Sequence, residues 1–376
     1  MNVVAANRLQ VPISGLDVQA YTIPTDGPEA DGTLAWDSTT IVVVHAYAQT
    51  GHTEELAGIG YTYTDAVAAD LIESTLMPVV IGMDALAPQR AAVAMDRVVR
   101  NLGRPGVASM AISAVDLALW DLKARLLDMP LYAVLGAVRD QLAIYGSGGF
   151  TSYTNTELAA QLAGWAAQGI GAVKMKVGSD PAADRDRVAI AREAIGPNVE
   201  LMVDANGAYN VKQALALTER FVEDAQICWL EEPVSSEDTG GMAFVRNHVP
   251  AGVDVAAGEY GFDLGHFHGL LDAGAVDVLQ ADVTRCGGIT GLLRLAGVCA
   301  AHQIDLSLHC APGAHLHPGL GLERFKHLEY FHDHVRLERM LFDGVVEPTG
   351  GFLAPDPARP GNGLALRREE ADPYAV

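Results

Sequence analysis

From Ala143 to Phe331 the sequence alternates eight short apolar runs with helical stretches, and no two runs are joined as a hairpin. This alternation constrains the fold more than any other feature. The runs are 143–147 (AIYGS), 172–177 (AVKMKV), 201–205 (LMVDA), 228–232 (CWLEE), 254–258 (DVAAG), 277–282 (DVLQAD), 305–309 (DLSLH) and 327–331 (HLEYF). Neighbouring parallel strands cannot be joined by a tight turn and need a crossover, usually a helix, so the pattern calls for an α/β fold with a parallel sheet. Eight such units fit a (β/α)8 barrel, which needs roughly 200–250 residues. A doubly wound sheet satisfies the same alternation. However, Gly146, Gly148 and Gly149 do not form GxGxxG, and no GxxxxGK[ST] occurs.

Residues 1–135 read differently, as an α+β capping domain. Thr39–Ala48 and Gly58–Tyr63 are strand-like, and helices are expected over Asp65–Met77, Asp84–Leu102 and Ala108–Leu127. In the last, Ile112, Val115, Leu119, Leu122 and Leu126 recur at three and four, which is a buried helical stripe. Residues 136–340 make the barrel, and the Pro- and Gly-rich 341–376 an irregular return segment packing on the cap.

Composition narrows the function. A hydrophobic share of 49% over 376 residues supports two packed domains. A formal net charge of −22 is a poor basis for binding nucleic acid or an anionic membrane, since both need a basic face. No apolar segment reaches 18 residues, and Met1–Pro12 carries no basic stretch followed by an apolar run. Cys228, Cys286, Cys299 and Cys310 form no CxxC pair, so neither a disulfide scaffold nor a zinc site is expected, and the setting expected is a reduced cytoplasm.

The chemistry lies at the strand ends. Lys174 and Lys176 fall on the second run, Asp204 on the third and Glu231 on the fourth. Glu259 follows the fifth, Asp282 ends the sixth, His309 the seventh, and Glu329 lies on the eighth. In a barrel these ends converge on one mouth, where active sites sit. Three converging carboxylates, Asp204, Glu231 and Glu259, repel one another unless a cation joins them, and oxygen-only ligands favour Mg²⁺. Glu232 points to the other face of its strand, so Glu231 is the expected ligand. Lys174 and Lys176, two apart, share one face, and two ammonium groups beside a metal should depress a lysine pKa and free a base. Asp282 beside His309 would set the imidazole tautomer. Cys310 is expected to face away from His309. Such a set tolerates the second negative charge that forms when a carboxylate substrate loses its α-proton.

With these motifs in view, the sequence resembles the enolase superfamily, mandelate racemase subgroup, over nearly its whole length. The resemblance rests on VKMKVG (173–178), VDANGAY (203–209), WLEEP (229–233), AAGE (256–259), QADVTRCGGI (280–289), SLHC (307–310) and HLEYF (327–331). The stretch ALWDLKARLLDMPLYAVLG (118–136) matches the family's link from cap to barrel. The resemblance implies Lys176 as base on one substrate face, Lys174 as its electrostatic partner on the carboxylate, and His309 with Asp282 as the dyad on the other face. It implies Asp204, Glu231 and Glu259 as ligands of one Mg²⁺, Glu329 as the acid bonding the enediolate, and Asn206 as a substrate-hydroxyl contact. Asp282 stands where the muconate-cycloisomerase branch has lysine, which argues against that branch. The loop CAPGAHLHPG (310–319) departs from the mandelate racemase pattern, and His315 and His317 in it either touch substrate or lie at the surface. Family members form dimers to octamers, so a homo-oligomer is expected.

Substrate choice in the family falls to the cap's N-terminal loop, expected here over Tyr21–Trp36, with Tyr21 and Trp36 as contacts. Arg8 is the only Lys or Arg before Arg90, so this lid offers no counter-ion to a second carboxylate. The expected substrate is a small monocarboxylate with a neutral polyol or cationic tail. The expected reaction is acid-sugar dehydration, in which Lys176 or His309 removes the α-proton and protonated His309 assists the leaving hydroxyl. A racemase or epimerase is the rival, and a catalytically silent metal-binding protein the third reading.

Overall fold

The structure, a computed structural model, describes residues 10–50 and 54–376. The reading of Met1–Pro12, and Arg8 with it, falls almost wholly outside the described residues. The chain opens with an antiparallel sheet of β1 (Ile13–Ala30), β2 (Ala35–Thr50) and β3 (Glu54–Tyr63) in the order β1-β2-β3. The sequence reading missed β1 and took Tyr21–Trp36 for a loop. The strand is hidden because Pro24, Gly27 and Pro28 interrupt its alternation, and its register with β2 slips between Pro24 and Glu29.

Helices α1 (Val67–Leu71) and α2 (Met77–Val80) flank a π turn at Ile72–Leu76, and α3 (Pro88–Val98) and α4 (Val107–Leu126) follow. Ile112, Val115, Leu119 and Leu122 are buried, as their spacing requires. α4 is more than amphipathic: fifteen of its twenty residues are buried, because it is wedged between sheet and barrel. Gly58 and Gly60 on β3 permit the close approach, since a Cβ there would lie 2.2 Å from Leu122 N and 2.3 Å from Ala114 O respectively. The other side of α4 holds a barrel loop. Asp116 accepts from Thr290 N and Oγ1 (2.9 and 2.6 Å), Ser113 Oγ accepts from the amides of Gly287 and Gly288, and Ser109 Oγ donates to Arg285 O (2.7 Å).

After α5 (Leu131–Leu135) the chain runs β4 (Leu142–Gly148), α6 (Asn155–Ala167), β5 (Ala172–Lys176), α7 (Asp184–Ile195), β6 (Glu200–Asp204), α8 (Val211–Ala225) and β7 (Ile227–Glu231). It continues α9 (Thr239–Arg246), β8 (Asp254–Ala257), α10 (Leu264–Asp272), β9 (Val278–Ala281), α11 (Gly288–His302), β10 (Asp305–Leu308), α12 (Pro312–Gly319), β11 (Phe325–Phe331) and α13 (His332–Leu341). The strands are parallel in sequential order, and β11 pairs with β4, so the sheet closes as an eight-stranded (β/α)8 barrel. The observed strands fall within two residues of the eight runs. Tyr145, Ala172, Met202, Trp229, Ala256 and Val278 form an apolar cluster of their own, made of strand residues that point into the barrel. Beyond Leu341, β12 (Phe342–Asp343) pairs with β14 (Ala365–Leu366), and β13 (Phe352–Leu353) pairs antiparallel with β4. Asn362 N bonds Asp121 Oδ1 on α4 and Asn362 Nδ2 bonds Ile59 O on β3, tying this segment to the cap. A last short helix, α14 (Arg368–Ala371), brings Arg368 to Asp17 on β1. All four cysteines are free thiols. No helix among the described residues is long and apolar enough to cross a membrane.

Candidate active site

Barrel register places the charged groups side by side. Lys176 pairs with Asp204 across β5 and β6, and Asp204 with Glu231 across β6 and β7. Val173 and Met175 pack in the outer core while Lys174 and Lys176 turn inward, the alternation a barrel strand requires. Asp204, Glu231 and Glu259 each offer an oxygen, and these lie within 4.8 Å of one another. Glu231 belongs to this group, but Glu232 does not point away as strand alternation would have it: it lies beyond the end of β7 at φ +38°, and burial together with the charges of Glu259, Asp204 and Glu231 raises its pKa. Glu231 Oε2 accepts from Trp229 Nε1 (2.9 Å), and Asp204 Oδ1 accepts from Asn206 N (2.9 Å), so both carboxylates are oriented from behind. Glu259 Oε2 is buried, His309 Nε2 stands 3.3 Å from it, and three clustered buried carboxylate oxygens fit a hard divalent cation.

The lysines are wired into this cluster. Lys174 Nζ lies 2.5 Å from Glu231 Oε1, 2.8 Å from Glu329 Oε1 and 3.4 Å from Asp204 Oδ2. Lys176 Nζ lies 2.6 Å from Asp204 Oδ2. Beside a metal, depressed lysine pKa values are expected; the protein groups alone act in the other direction. Burial disfavours both ammonium groups, but Glu231, Glu329 and Asp204 around Lys174, and Asp204, Glu259 and Glu231 around Lys176, outweigh it and push both upward. A dication among the carboxylates is what would release that hold.

On the opposite wall, His309 Nδ1 stands 2.9 Å from Asp282 Oδ2. Asp282 Oδ1 accepts from Thr284 N and Oγ1, both at 2.7 Å, which fixes the carboxylate. Burial opposes charge on His309, yet the charges of Glu259 and Glu329 and the hydrogen bond to Asp282 raise its pKa well above the usual value. Glu329 Oε1 accepts from Ser147 Oγ (2.5 Å) and its Oε2 from Cys310 N (3.0 Å). Burial would raise Glu329, but Lys174, His309 and Lys176 hold it below the usual carboxylate range.

A cavity of about 570 Å³ is lined by Lys176, Asn206, Glu259, His309 and Glu329 from the barrel and by Asp31, Leu34, Trp36, Ser38, Thr39, Thr40, Tyr63 and Asp65 from the cap, while Lys174, Asp204, Glu231 and Asp282 lie buried behind this lining. Asn206 lines it with φ +44°, and its Oδ1 is buried without a partner among the described residues. Trp36 also lines it. Tyr21 does not: it is buried on β1 opposite Ile41 and bridges Ala375, because the expected loop is a strand whose inward face packs on the core. His315 and His317 line it neither as contacts nor as surface residues. Both are buried in α12, where His315 Nε2 accepts from Val283 N (2.8 Å) and His317 Nδ1 from Tyr132 N (3.2 Å).

Cys310 is a further correction. Strand β10 ends at Leu308, and Cys310 and Ala311 take φ of +53° and +42°, so strict alternation no longer applies. The thiol turns back into the cavity, 3.3 Å from both His309 Nε2 and Glu329 Oε2. Burial and Glu329 keep it protonated. Other liners went unforeseen in the sequence, among them Arg285, Tyr260, Asp333 and His334. Arg285 follows Asp282 by three and reaches Asp282 Oδ2 and Glu259 Oε1 at 3.5 Å, a spacing the motif QADVTRCGGI already displayed.

Residues 157–371 match the family described as enolase C-terminal domain-like, and residues 30–136 match the N-terminal domain of mandelate racemase and muconate lactonizing enzyme. The chain is 32% identical over 325 residues to a 3,6-anhydro-alpha-L-galactonate cycloisomerase of Streptomyces coelicolor, covering 85% of this chain and 88% of that one. A mandelate racemase/muconate lactonizing enzyme-like protein from Rubrobacter xylanophilus superposes with a TM-score of 0.93 at 55% identity, covering 97% of this chain and 100% of that one. An L-talarate/galactarate dehydratase from Salmonella typhimurium, liganded with Mg and L-lyxarohydroxamate, gives 0.89 at 25% identity, covering 100% and 96%.

Proposed function

The chain belongs to the mandelate racemase and muconate lactonizing enzyme family of the enolase superfamily, an enzyme family of acid-sugar dehydratases, cycloisomerases and racemase-like members. From that premise we propose that it dehydrates a monocarboxylate sugar acid to a 2-keto-3-deoxy acid. The observation carrying this reading is that Lys176 and His309, the latter backed by Asp282, line the same cavity from opposite walls, beside the three clustered carboxylates.

Asp204, Glu231 and Glu259 would hold one Mg²⁺, which when bound supplies a Lewis acid for the substrate carboxylate. Lys174, fully buried among carboxylates, fixes the substrate carboxylate end. Lys176 on one face, or His309 on the other, takes the α-proton, and Asp282 holds the imidazole so that Nε2 receives it. Protonated His309 then returns a proton to the departing β-hydroxyl. Asn206 Oδ1, without a partner among the described residues, suits a polyol tail, whereas the hydroxyls of Thr39 and Thr40 are already bonded to Asp333 and Thr22. If the leaving oxygen belongs to an internal ether, the same steps open the ring, which matches the name of the cycloisomerase relative.

The monocarboxylate preference rests on charge. Asp31 and Asp65 are the only charged cap residues among those lining the cavity. Arg285 is the remaining cation, already shared between Asp282 and Glu259. The dehydratase relative is named for diacids, so this preference is a point on which the two proteins would differ. Bases on both faces also support a second reading, racemisation or epimerisation. Both are tested by incubating monoacid and diacid sugars in D₂O with Mg²⁺. A 2-keto-3-deoxy product supports dehydration. Deuterium at Cα without water loss supports the second reading, and preferred turnover of a diacid overturns the charge argument.

A further inference from the structure

A second group of potential ligands lies at the cap's edge, away from the cluster of Asp204, Glu231 and Glu259. Asp26 and Glu29 occupy the stretch of β1 where its register with β2 slips, and His332 opens α13 directly after β11. His332 Nε2 stands 3.1 Å and 3.0 Å from the two carboxylate oxygens of Asp26. One ligand atom from each of Asp26, Glu29 and His332 lies within 4.8 Å of the other two.

Glu29 is the informative member. It is 1% exposed, and its Oε2 accepts from Trp36 Nε1 at 2.8 Å. Its Oε1 is buried and has no hydrogen-bond partner among the described residues. A carboxylate oxygen removed from water and left bare is costly, and a cation is the partner that would offset that cost.

We propose that Asp26, Glu29 and His332 bind a divalent transition-metal ion such as Zn²⁺, which fastens the far end of β1 to the start of α13. One imidazole and two carboxylates are three protein ligands with a fourth position left for water. The nitrogen donor separates this set from the oxygen-only cluster of the barrel and disfavours Mg²⁺. Trp36 orients the Glu29 carboxylate from behind, as outer partners of metal ligands do. Asp26 and His332 also line a separate cavity of about 510 Å³, which gives an ion a path in. Because Trp36 lines the active-site cavity as well, the ion would brace one wall of the substrate's enclosure.

The test is equilibrium dialysis of the full chain against Zn²⁺ in excess Mg²⁺, with Co²⁺ absorption as a second probe. The expected result is one tightly held Zn²⁺ per chain. Uptake should fall at least about tenfold in Glu29→Gln, in His332→Ala and in the exposed Asp26→Asn, and persist in Asp204→Asn. Circular dichroism melts identify any variant that fails to fold, and Asp26→Asn carries the test if a buried variant does. No Zn²⁺ uptake by the parent chain would mean that Glu29 Oε1 carries a proton instead. Uptake lost in Asp204→Asn but kept in His332→Ala would place the ion at the barrel mouth. Either result overturns the proposal.

Discussion

Replacing Asp282 with asparagine tests the dyad without changing its shape. Thr284 N and Oγ1 both donate to Asp282 Oδ1 at 2.7 Å, so the amide oxygen of the substituted side chain should stay there. Its NH₂ then takes the place of Oδ2, 2.9 Å from His309 Nδ1. Two consequences follow. The imidazolium loses a charge-assisted hydrogen bond worth about 1.5–3 kcal/mol, or roughly 10- to 150-fold in rate. The amide also donates to Nδ1, which moves the neutral ring's proton onto Nε2, the atom that must receive the α-proton. A wrong tautomer costs about 10⁴-fold in a comparable triad. The expected loss for exchange from the His309 face is therefore about 10²- to 10⁴-fold, with Lys176-face exchange changed only a few-fold. Burial already opposes charge on His309, and Asp282 is one of the groups overcoming it, so the pH at which His309-face exchange rises should move downward. The assay is loss of the Cα proton signal by NMR in D₂O, run on both epimers across pH. Exchange near the parent rate with an unmoved pH profile would refute the reasoning.

Chelation should abolish Cα exchange and added Mg²⁺ restore it, while Glu259→Gln should weaken Mg²⁺ affinity at least about tenfold by calorimetry. Asp116 is fully buried, and burial raises it from 3.8 to about 7 against its bonds from Thr290. The folded chain therefore keeps a proton that the unfolded chain releases, and stability falls as pH rises through this window. The contribution is about 4 kcal/mol, fully present below pH 3.8, and Asp116→Asn should remove this part of the slope in denaturant titrations at pH 5 and 8. Gly60→Ala would set a Cβ 2.3 Å from Ala114 O and 2.4 Å from Ala118 N, and should cost about 3 kcal/mol in a thermal or urea melt.

The barrel was legible because each strand carries its own signal, an apolar run with one inward polar residue near its end, repeated at intervals of one βα unit. Register then does the rest: once Lys176 sits on β5, Asp204 and Glu231 are its lateral neighbours. Strand β1 was not legible, because proline and glycine near its end mask the period-two pattern that its first half obeys. Tyr21 was misplaced with it. Cys310 was unreadable for another reason. Which way its side chain points depends on a left-handed backbone step that no residue preference announces. His315 and His317, expected at the substrate or at the surface, are at neither, because buried histidines are legible only when their partners are, and those partners are backbone amides of Val283 and Tyr132.

The cap is joined to the barrel twice, once through the segment after α5 and again beyond Leu341, where Asn362 reaches both α4 and β3. A body held by two connections can turn only about the line through them, and the bonds from α4 to the loop at 285–290 resist even that turn. The turn between β1 and β2 is tied down as well: Thr151 N and Oγ1 donate to Ala30 O and Asp31 O (2.8 and 2.7 Å), and a Cβ on Gly32 would lie 2.4 Å from Ala205 O. In kinetic terms, admitting a substrate past the cap would require bonds between cap and barrel to break together, a collective event of the microsecond-to-millisecond kind rather than the free swing of a loop.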